Sequence, residues 1–250
     1  MTRLTRPAVA LFALALLAGP ALAAKEKSTL KATVDPAYWD RKITKIGLLG
    51  FTWPHQDDVR MQETIPDLVK AALQDQGEFT LLFPDDVRKA AELGGNKDAY
   101  ETLMRVWRTR NELDQPALAT IQAALGLDAV AGTEVTHWEQ HKLDPSEEGY
   151  STTTVGMRTR MWDAHDRLLL WEATMVKVEK SPPYSPSSAV DAGGTTRATG
   201  SVPDPPQYDV VTEEVVNEII GSFPKAENKD KYMKAAEKNQ KNSKKKEDGR

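Results

Sequence analysis

"VGMRTRMWDAHDRLLLWEATMVKV", residues 155–178, places two alternating segments on either side of a short acidic break. The less polar residues of the first segment recur at every second position, at Val155, Met157, Thr159 and Met161. This period is typical of a half-buried strand, and the second segment, "LLLWEATMVKV", returns after the break. The stretch therefore predicts a β-hairpin, and it makes the second half of the chain a β-meander.

The break in this hairpin holds Asp163, His165 and Asp166 within four positions, a combination of residue types that also occurs in hydrolases and metal sites. Asp is also favoured in turns, because its short side chain bonds to the local backbone. Catalysis would need a nucleophile or a second carboxylate from another part of the chain, and no motif supplies one. We interpret the cluster as a turn, and we expect Trp171 beyond it to fill the core.

The first half of the chain alternates predicted strands with predicted helices. Apolar runs indicate strands at "ITKIGLLGFTW" (43–53), "EFTLLF" (78–83) and "DAVAGTEVTHW" (128–138). Helical periodicity, or start and stop residues, indicate helices over 65–73, 84–93, 100–107 and 114–126, and a closing helix over 211–223. The order predicts an α/β sandwich. In it, a mixed sheet of about five strands is flanked by helices, with a C-terminal β-meander and a closing helix.

The first 23 residues predict a secretory signal peptide. Arg3 and Arg6 precede an apolar run from Ala8 to Ala18, and small residues follow it up to Ala23, where we expect cleavage. The run is shorter than the ~20 residues of a membrane-spanning helix, which argues against the alternative of a retained anchor. The predicted location is therefore periplasmic or secreted.

The chain contains no cysteine. Disulfides, thiolate metal sites and cysteine nucleophiles are excluded, and so is the lipid-acceptor cysteine of a bacterial lipoprotein. No other segment is apolar enough for a membrane span, so the mature chain is expected to be soluble.

The composition divides the remainder into one domain and a tail. Residues 42–223 are predicted to form a single α/β domain, interrupted at 181–207 by a flexible excursion rich in Pro, Gly and Ser. Residues 224–250 carry ten basic and five acidic residues within a chain of formal net charge -4, and they are predicted to form a Lys-rich disordered tail. The acidic body argues against nucleic-acid binding, whereas the tail could attract anionic polymers or lipid headgroups.

Two further groups of polar residues have positions or spacings that occur in ligand and metal sites. His137 and His141 have the spacing of two zinc ligands on one helical face, but the alternation around them predicts a strand, on which they would lie about 13 Å apart. His55, Asp57 and Asp58 follow the first predicted strand, where ligand sites of open α/β sheets gather, although an aspartate there is also a suitable helix cap. We therefore predict no catalytic, cofactor or metal site.

Four segments together, "KIGLLGF", "EFTLLFPDDVRKA", "ALGLDAVAGTEV" and "MRTRMWDAHDRLLLWEA", resemble a bacterial envelope module family. The family includes the periplasmic domain of the curli secretion channel, the lipoprotein activators of penicillin-binding proteins and the amino-terminal domain of TolB. Trp162, Asp163 and Trp171 match its final hairpin, whereas Arg167 stands near the usual position of a glycine. The resemblance covers roughly residues 42–223 and implies binding to other envelope proteins without catalysis.

The leading hypothesis is a non-catalytic, soluble periplasmic accessory or adaptor protein that binds other cell-envelope proteins. An envelope hydrolase that uses His55, Asp57 or Asp58 is one alternative. A module that binds an anionic polymer through the basic tail is the other.

Overall fold

The computed structural model describes residues 29–53, 59–74, 79–190, 196–199 and 201–247. The predicted signal peptide with its cleavage site after Ala23 lies outside the described residues, as do His55, Asp57 and Asp58. Within the described part, no helix combines the length and the apolar character needed to cross a membrane.

A six-stranded mixed sheet organises the chain in the order β1-β6-β5-β4-β2-β3. Its strands are β1 (Lys31–Val34), β2 (Lys45–Thr52), β3 (Thr80–Leu82), β4 (Ala129–His141), β5 (Thr152–Asp163) and β6 (Leu169–Lys180). The helices are α1 (Val59–Gln74), α2 (Pro84–Leu93), α3 (Lys97–Arg110), α4 (Gln115–Leu125), α5 (Tyr208–Gly221) and α6 (Lys229–Glu247). Strand β2 runs parallel to β3 and β4, and the remaining pairs are antiparallel. The predicted α/β sandwich is confirmed, with six strands where about five were expected.

The helix ends follow the start and stop residues of the sequence. The side chain of Asp114 accepts a hydrogen bond from the Ala117 N–H at 3.0 Å and so caps α4. The same helix stops at Gly126, whose φ of +61° lies in the left-handed region that glycine enters without strain. Helix α2 runs from Pro84 to Leu93 as predicted.

Helices cover the two sides of the sheet unequally. Helices α1 and α5 pack over one side and bury the larger apolar cluster, which includes Trp171, Met157 and Val215. Helices α2, α3 and α4 bury a second cluster on the other side, over β2, β4 and the end of β5. There the ring of Trp107 lies edge to face with Trp162, at 5.7 Å between ring centroids.

Strand β1 was not predicted. Its four residues pair antiparallel with β6, in the register Lys31 with Thr174 and Val34 with Trp171. Only Val34 is buried, so the segment shows no apolar run that would indicate a strand. Its strand conformation depends on a partner that lies about 140 residues further along the chain.

The segment over 181–207, predicted as a flexible excursion, is attached to the body at both ends. Tyr184 is buried and pairs with Gly149. The Ser151 hydroxyl donates to the carbonyl of Pro203 at 2.7 Å. Between these points a hairpin forms from β7 (Ser187–Val190) and β8 (Thr196–Thr199). The sequence did not indicate these contacts, because they are formed by main-chain groups, which leave no apolar periodicity in the sequence.

The segment over 224–250, predicted as a disordered tail, contains α6. Tyr232 in the first turns of this helix is buried, and its hydroxyl donates to the Ser222 carbonyl at 2.7 Å. The hydroxyl of Tyr38 donates to the Pro224 carbonyl at 3.0 Å. The average composition of a Lys-rich segment conceals Tyr232, the aromatic residue that the body buries.

Candidate interaction surface and cavity

The break between β5 and β6 is a turn built around Asp163. Its Oδ1 accepts hydrogen bonds from the N–H groups of His165 at 2.7 Å and Asp166 at 3.1 Å. Arg167 has a φ of +66° and so adopts the left-handed conformation at the position where the family resemblance suggested a glycine. The predicted turn is confirmed.

Both carboxylates of the turn are occupied by structural contacts. The Arg41 guanidinium donates to Asp163 Oδ2 at 2.7 Å through Nη1 and contacts Asp166 Oδ2 through Nη2. The Leu168 N–H and then the Arg41 guanidinium hold the pKa of Asp166 below its usual value. His165 is exposed, and its Nδ1 lies 3.3 Å from the Gln122 amide nitrogen. This arrangement stabilises the turn and presents no free base beside a nucleophile.

The two histidines considered as zinc ligands lie on strand β4, and both are exposed. A β-bulge interrupts the pairing of β4 with β5 between Val135 and His137. Within the described part of the chain, no three His, Asp or Glu side chains are grouped closely enough to hold a metal ion.

One surface of the sheet is left without a helix among the described residues. On β5 and β6 the residues that alternate with the buried Met157 and Met175 point away from α5. Helices α2–α4 pack on that side only over β2, β4 and the end of β5. We call this surface the open face, and its central residues are Thr33, Arg158, Arg160, Glu172, Thr174 and Val176.

The charged side chains of the open face, two arginines and one glutamate, contact one another. Glu134 Oε2 lies 3.5 Å from Arg158 Nη1 and 3.7 Å from Arg160 Nη2. The Arg160 guanidinium carbon lies 5.0 Å from the ring centroid of Trp162, within the range of a cation–π contact. Arg160 also donates to the Asn111 carbonyl at 3.3 Å. Contacts within the protein therefore fix the positions of the cations on this face.

Burial lowers the pKa of the Arg160 guanidinium, and Arg158 acts in the same direction, whereas Glu134 and Glu172 raise it. Sequence reasoning did not single out these arginines. The available signal was their position, because residues 158 and 160 alternate with the buried residues of β5.

A cavity of about 790 Å³ lies at the carboxyl ends of β2 and β3, where residues from both sides of the sheet line it. Its walls come from the sheet, from α1 and α5, from the first half of α2 and from the C-terminal half of α3. Thr133 and Thr159 line it as a hydroxyl pair 3.0 Å apart, and Trp171 lines it as a buried indole. The residues of the hydrolase alternative, His55, Asp57 and Asp58, follow this end of β2 in the sequence, but they lie outside the described part.

The sequence matches no family model, and it matches no curated protein. Solved structures are similar in fold. A PelC L103M dodecamer from Paraburkholderia phytofirmans is 10% identical, with a TM-score of 0.44 over 78% of this chain and 96% of that one. Lipoprotein GNA1162 from Neisseria meningitidis is 15% identical, with a TM-score of 0.39 over 58% of this chain and 88% of that one.

A structure of TolB from Acinetobacter baumannii also matches, at 12% identity and a TM-score of 0.26 over 63% of this chain and 26% of that one. TolB is one of the proteins that the sequence itself resembles. At these identities and TM-scores the similarity concerns the fold alone.

Proposed function

We propose that this chain is a non-catalytic accessory protein of the bacterial cell envelope, periplasmic or secreted, which binds another envelope protein through its open face. The predicted signal peptide supports the location. The sequence resemblance to envelope modules supports the role.

The observation that carries the proposal is the uncovered face itself. A sheet side with fixed arginines, threonines and the half-buried Val176 offers both polar and apolar contacts without any rearrangement. Arginine is enriched in protein interfaces relative to the rest of the surface. Because Glu134 and Trp162 already order the Arg158 and Arg160 side chains, little side-chain entropy would be lost on binding.

The turn cluster supports a non-enzymatic role. Asp163 is 3% exposed, and both of its carboxylate oxygens accept hydrogen bonds within the turn or from Arg41. A general base needs a free oxygen within reach of a substrate proton. The hydrolase alternative then depends on His55, Asp57 and Asp58.

Photo-crosslinking tests the proposal directly. A photoreactive amino acid would replace Thr174 on the open face, and a matched protein would carry it in place of Glu101, which is exposed on α3. In envelope extracts we expect a discrete adduct from position 174 and none from position 101. Adducts of equal pattern at both positions, or none at 174 in a folded protein, would reject the open face as the binding surface.

A charge variant tests the arginines separately. Arg158→Glu should reduce the adduct from position 174 at least ten-fold, because it places two carboxylates side by side on the face. Arg105→Glu on the exposed side of α3 is the control and should leave the adduct unchanged.

A further inference from the structure

Helix α6 is attached to the body along one of its sides. Tyr232 is buried in the larger apolar cluster, and its hydroxyl donates to the carbonyl of Ser222 at 2.7 Å. Met233 and Ala236, in the next turn of the helix, are half-buried. Because these contacts fix which side of α6 packs on the body, they also fix which side is turned away from it.

The side of α6 that is turned away carries a row of lysines. Spacings of three and four residues alternate between successive members of the row, which is the period of one face of a helix. At about 100° per residue the row occupies an arc of about 80° opposite Tyr232, and it extends over about 21 Å of the helix. We call this row the lysine stripe, and its members are Lys231, Lys234, Lys238, Lys241 and Lys245.

The charge of the lysine stripe is not balanced by carboxylates. Lys231, Lys234 and Lys238 are exposed, and none of them forms a salt bridge with a described residue. The whole helix contains eight lysines and three acidic residues, of which Asp230 and Glu237 lie at one edge of the stripe. The free side of α6 therefore favours a partner with negative charge.

The shape of the lysine stripe favours a planar partner. The row is straight, and it runs along most of a helix that lies on the outside of the body, so a flat layer of negative charge can meet its whole length at once. The aromatic residue of α6, Tyr232, is already buried against the body and is not available for insertion into hydrocarbon. Contact with a bilayer would then be confined to the head groups.

We propose that the lysine stripe holds the protein on an anionic phospholipid surface, through the phosphate head groups and without insertion. Tyr232 belongs to the apolar cluster on the α1 and α5 side of the sheet, whereas the open face lies on the other side. The open face thus remains available to a protein partner while α6 lies on the bilayer. The inference goes beyond the proposed function, because it concerns a different surface and a different class of partner.

Sedimentation with vesicles tests the proposal. The protein is the predicted mature chain from residue 24 onward, because the apolar signal peptide would itself bind lipid. At about 0.1 M salt we expect this chain to sediment with vesicles of equal parts phosphatidylglycerol and phosphatidylcholine, and not with vesicles of phosphatidylcholine alone. Salt at about 1 M should release it, because the screening length then falls to about 3 Å.

A triple variant tests the stripe itself. Each lysine near an anionic surface favours binding by about five-fold, so removal of three of these charges should weaken the partition by about 100-fold. The variant combines Lys231→Gln, Lys234→Gln and Lys238→Gln. All three side chains are exposed, and circular dichroism and the unfolding midpoint should match those of the parent.

A matched control removes the same charge from other helices. Lys70→Gln, Lys89→Gln and Lys97→Gln replace exposed lysines on α1, α2 and α3. Together they should leave the partition within about two-fold of the parent, because charges further than about 10 Å from the surface are screened at this salt concentration.

A gain of binding is expected at the edge of the stripe. Asp230→Asn combined with Glu237→Gln removes two negative charges beside the lysines and should strengthen the partition at least five-fold. A loss of folding cannot produce this result.

The proposal is overturned if the parent chain does not sediment with the anionic vesicles, or if the stripe variant and the control variant lose binding equally. Soluble polyphosphate serves as a linear polyanion for comparison. Binding to polyphosphate without binding to the vesicles would also overturn the proposal, because the stripe would then recognise a linear polymer and not a bilayer surface.

Discussion

The guanidinium of Arg41 lies 2.7 Å from the carboxylate of Asp163 and so ties the chain after β1 to the turn between β5 and β6. Asp163 is 3% exposed, and its other oxygen accepts the N–H groups of His165 and Asp166. One buried carboxylate thus closes the hairpin and anchors a segment 122 residues away.

Replacing this carboxylate should cost far more stability than replacing the histidine beside it. Asp163→Ala leaves two backbone N–H groups and Nη1 of Arg41 without their acceptor, and we expect a loss of about 3 kcal/mol. From the sequence alone, a turn position predicts only about 1 kcal/mol. His165→Ala, at an exposed position, should change stability by less than about 0.5 kcal/mol. Denaturant unfolding of the two variants and the parent measures these changes in the free energy of unfolding. A folded His165→Ala protein that loses partner binding would show that the turn is a working site.

Trp171 should be one of the most sensitive positions of the core. It is 1% exposed and packs edge to face on Phe223, with ring centroids 5.0 Å apart. Trp171→Ala should destabilise by about 3 to 5 kcal/mol, because it removes a large buried aromatic from the contact between sheet and α5. Thermal and denaturant unfolding measure the change. A loss under about 1 kcal/mol would mean that the packing on α5 is not as described.

Gly132 allows the close approach of Trp107 to the sheet. A Cβ at this position would lie 2.3 Å from the nearest ring carbon of Trp107, which is fully buried and cannot move away. Gly132→Ala should therefore destabilise by about 1 to 3 kcal/mol or more through overpacking.

Gly221→Ala is the matched control. It ends α5, with no atom within 4 Å of an added Cβ, and should be neutral or slightly stabilising. Equal effects of the two substitutions on the unfolding midpoint would contradict the packing of Trp107 under Gly132.

Asp128 should make stability depend on pH in acid. Burial favours the neutral form of this carboxyl, but hydrogen bonds from the Thr44 hydroxyl, the Thr44 N–H and the Lys45 N–H hold its pKa below the ordinary value of 3.8. Because the folded-state pKa is the lower one, the stabilisation is present above the unfolded pKa and is lost as the pH falls below about 4. Asp128→Asn should flatten the decline of unfolding free energy in that window. If the free energy of unfolding of parent and variant falls in parallel with pH, Asp128 is excluded as a source of the pH dependence.

Truncation should separate the two parts of α6. Removal of residues 239–250 keeps the buried Tyr232 and should leave the unfolding free energy unchanged within about 0.5 kcal/mol. Removal of 229–250 also deletes Tyr232 and its bond to Ser222, and should destabilise by about 2 kcal/mol or more. Equal stability of the two truncated proteins would show that Tyr232 does not pack on the body.

The shorter truncation also tests the hypothesis that the basic tail binds an anionic polymer. It removes five of the ten basic residues of the tail and keeps the buried Tyr232. Retention on lipopolysaccharide at low salt should then fall, and salt should weaken the retention of the parent. If neither the truncation nor added salt changes the retention, the basic tail does not bind the polymer.

The sequence by itself determined the class of fold, because strands and helices carry their own periods. The alternation of Met157 and Met161 predicted a strand with one buried side, and Asp114 with Gly126 predicted the bounds of α4. Asp163 at the break between two alternating segments predicted the turn. These are local signals that involve neighbours within a few residues.

The tertiary structure alone decided the features that depend on distant parts of the chain. Strand β1 exists only because β6 offers it an edge, and Tyr232 is buried only because the body provides a place for it. The position of Arg158 and Arg160 on an uncovered face, and the cavity beside Trp171, follow from which helices pack on which side of the sheet. Periodicity indicates that a strand has a buried side, but it does not say what covers either side, because long-range packing leaves no period in the local sequence.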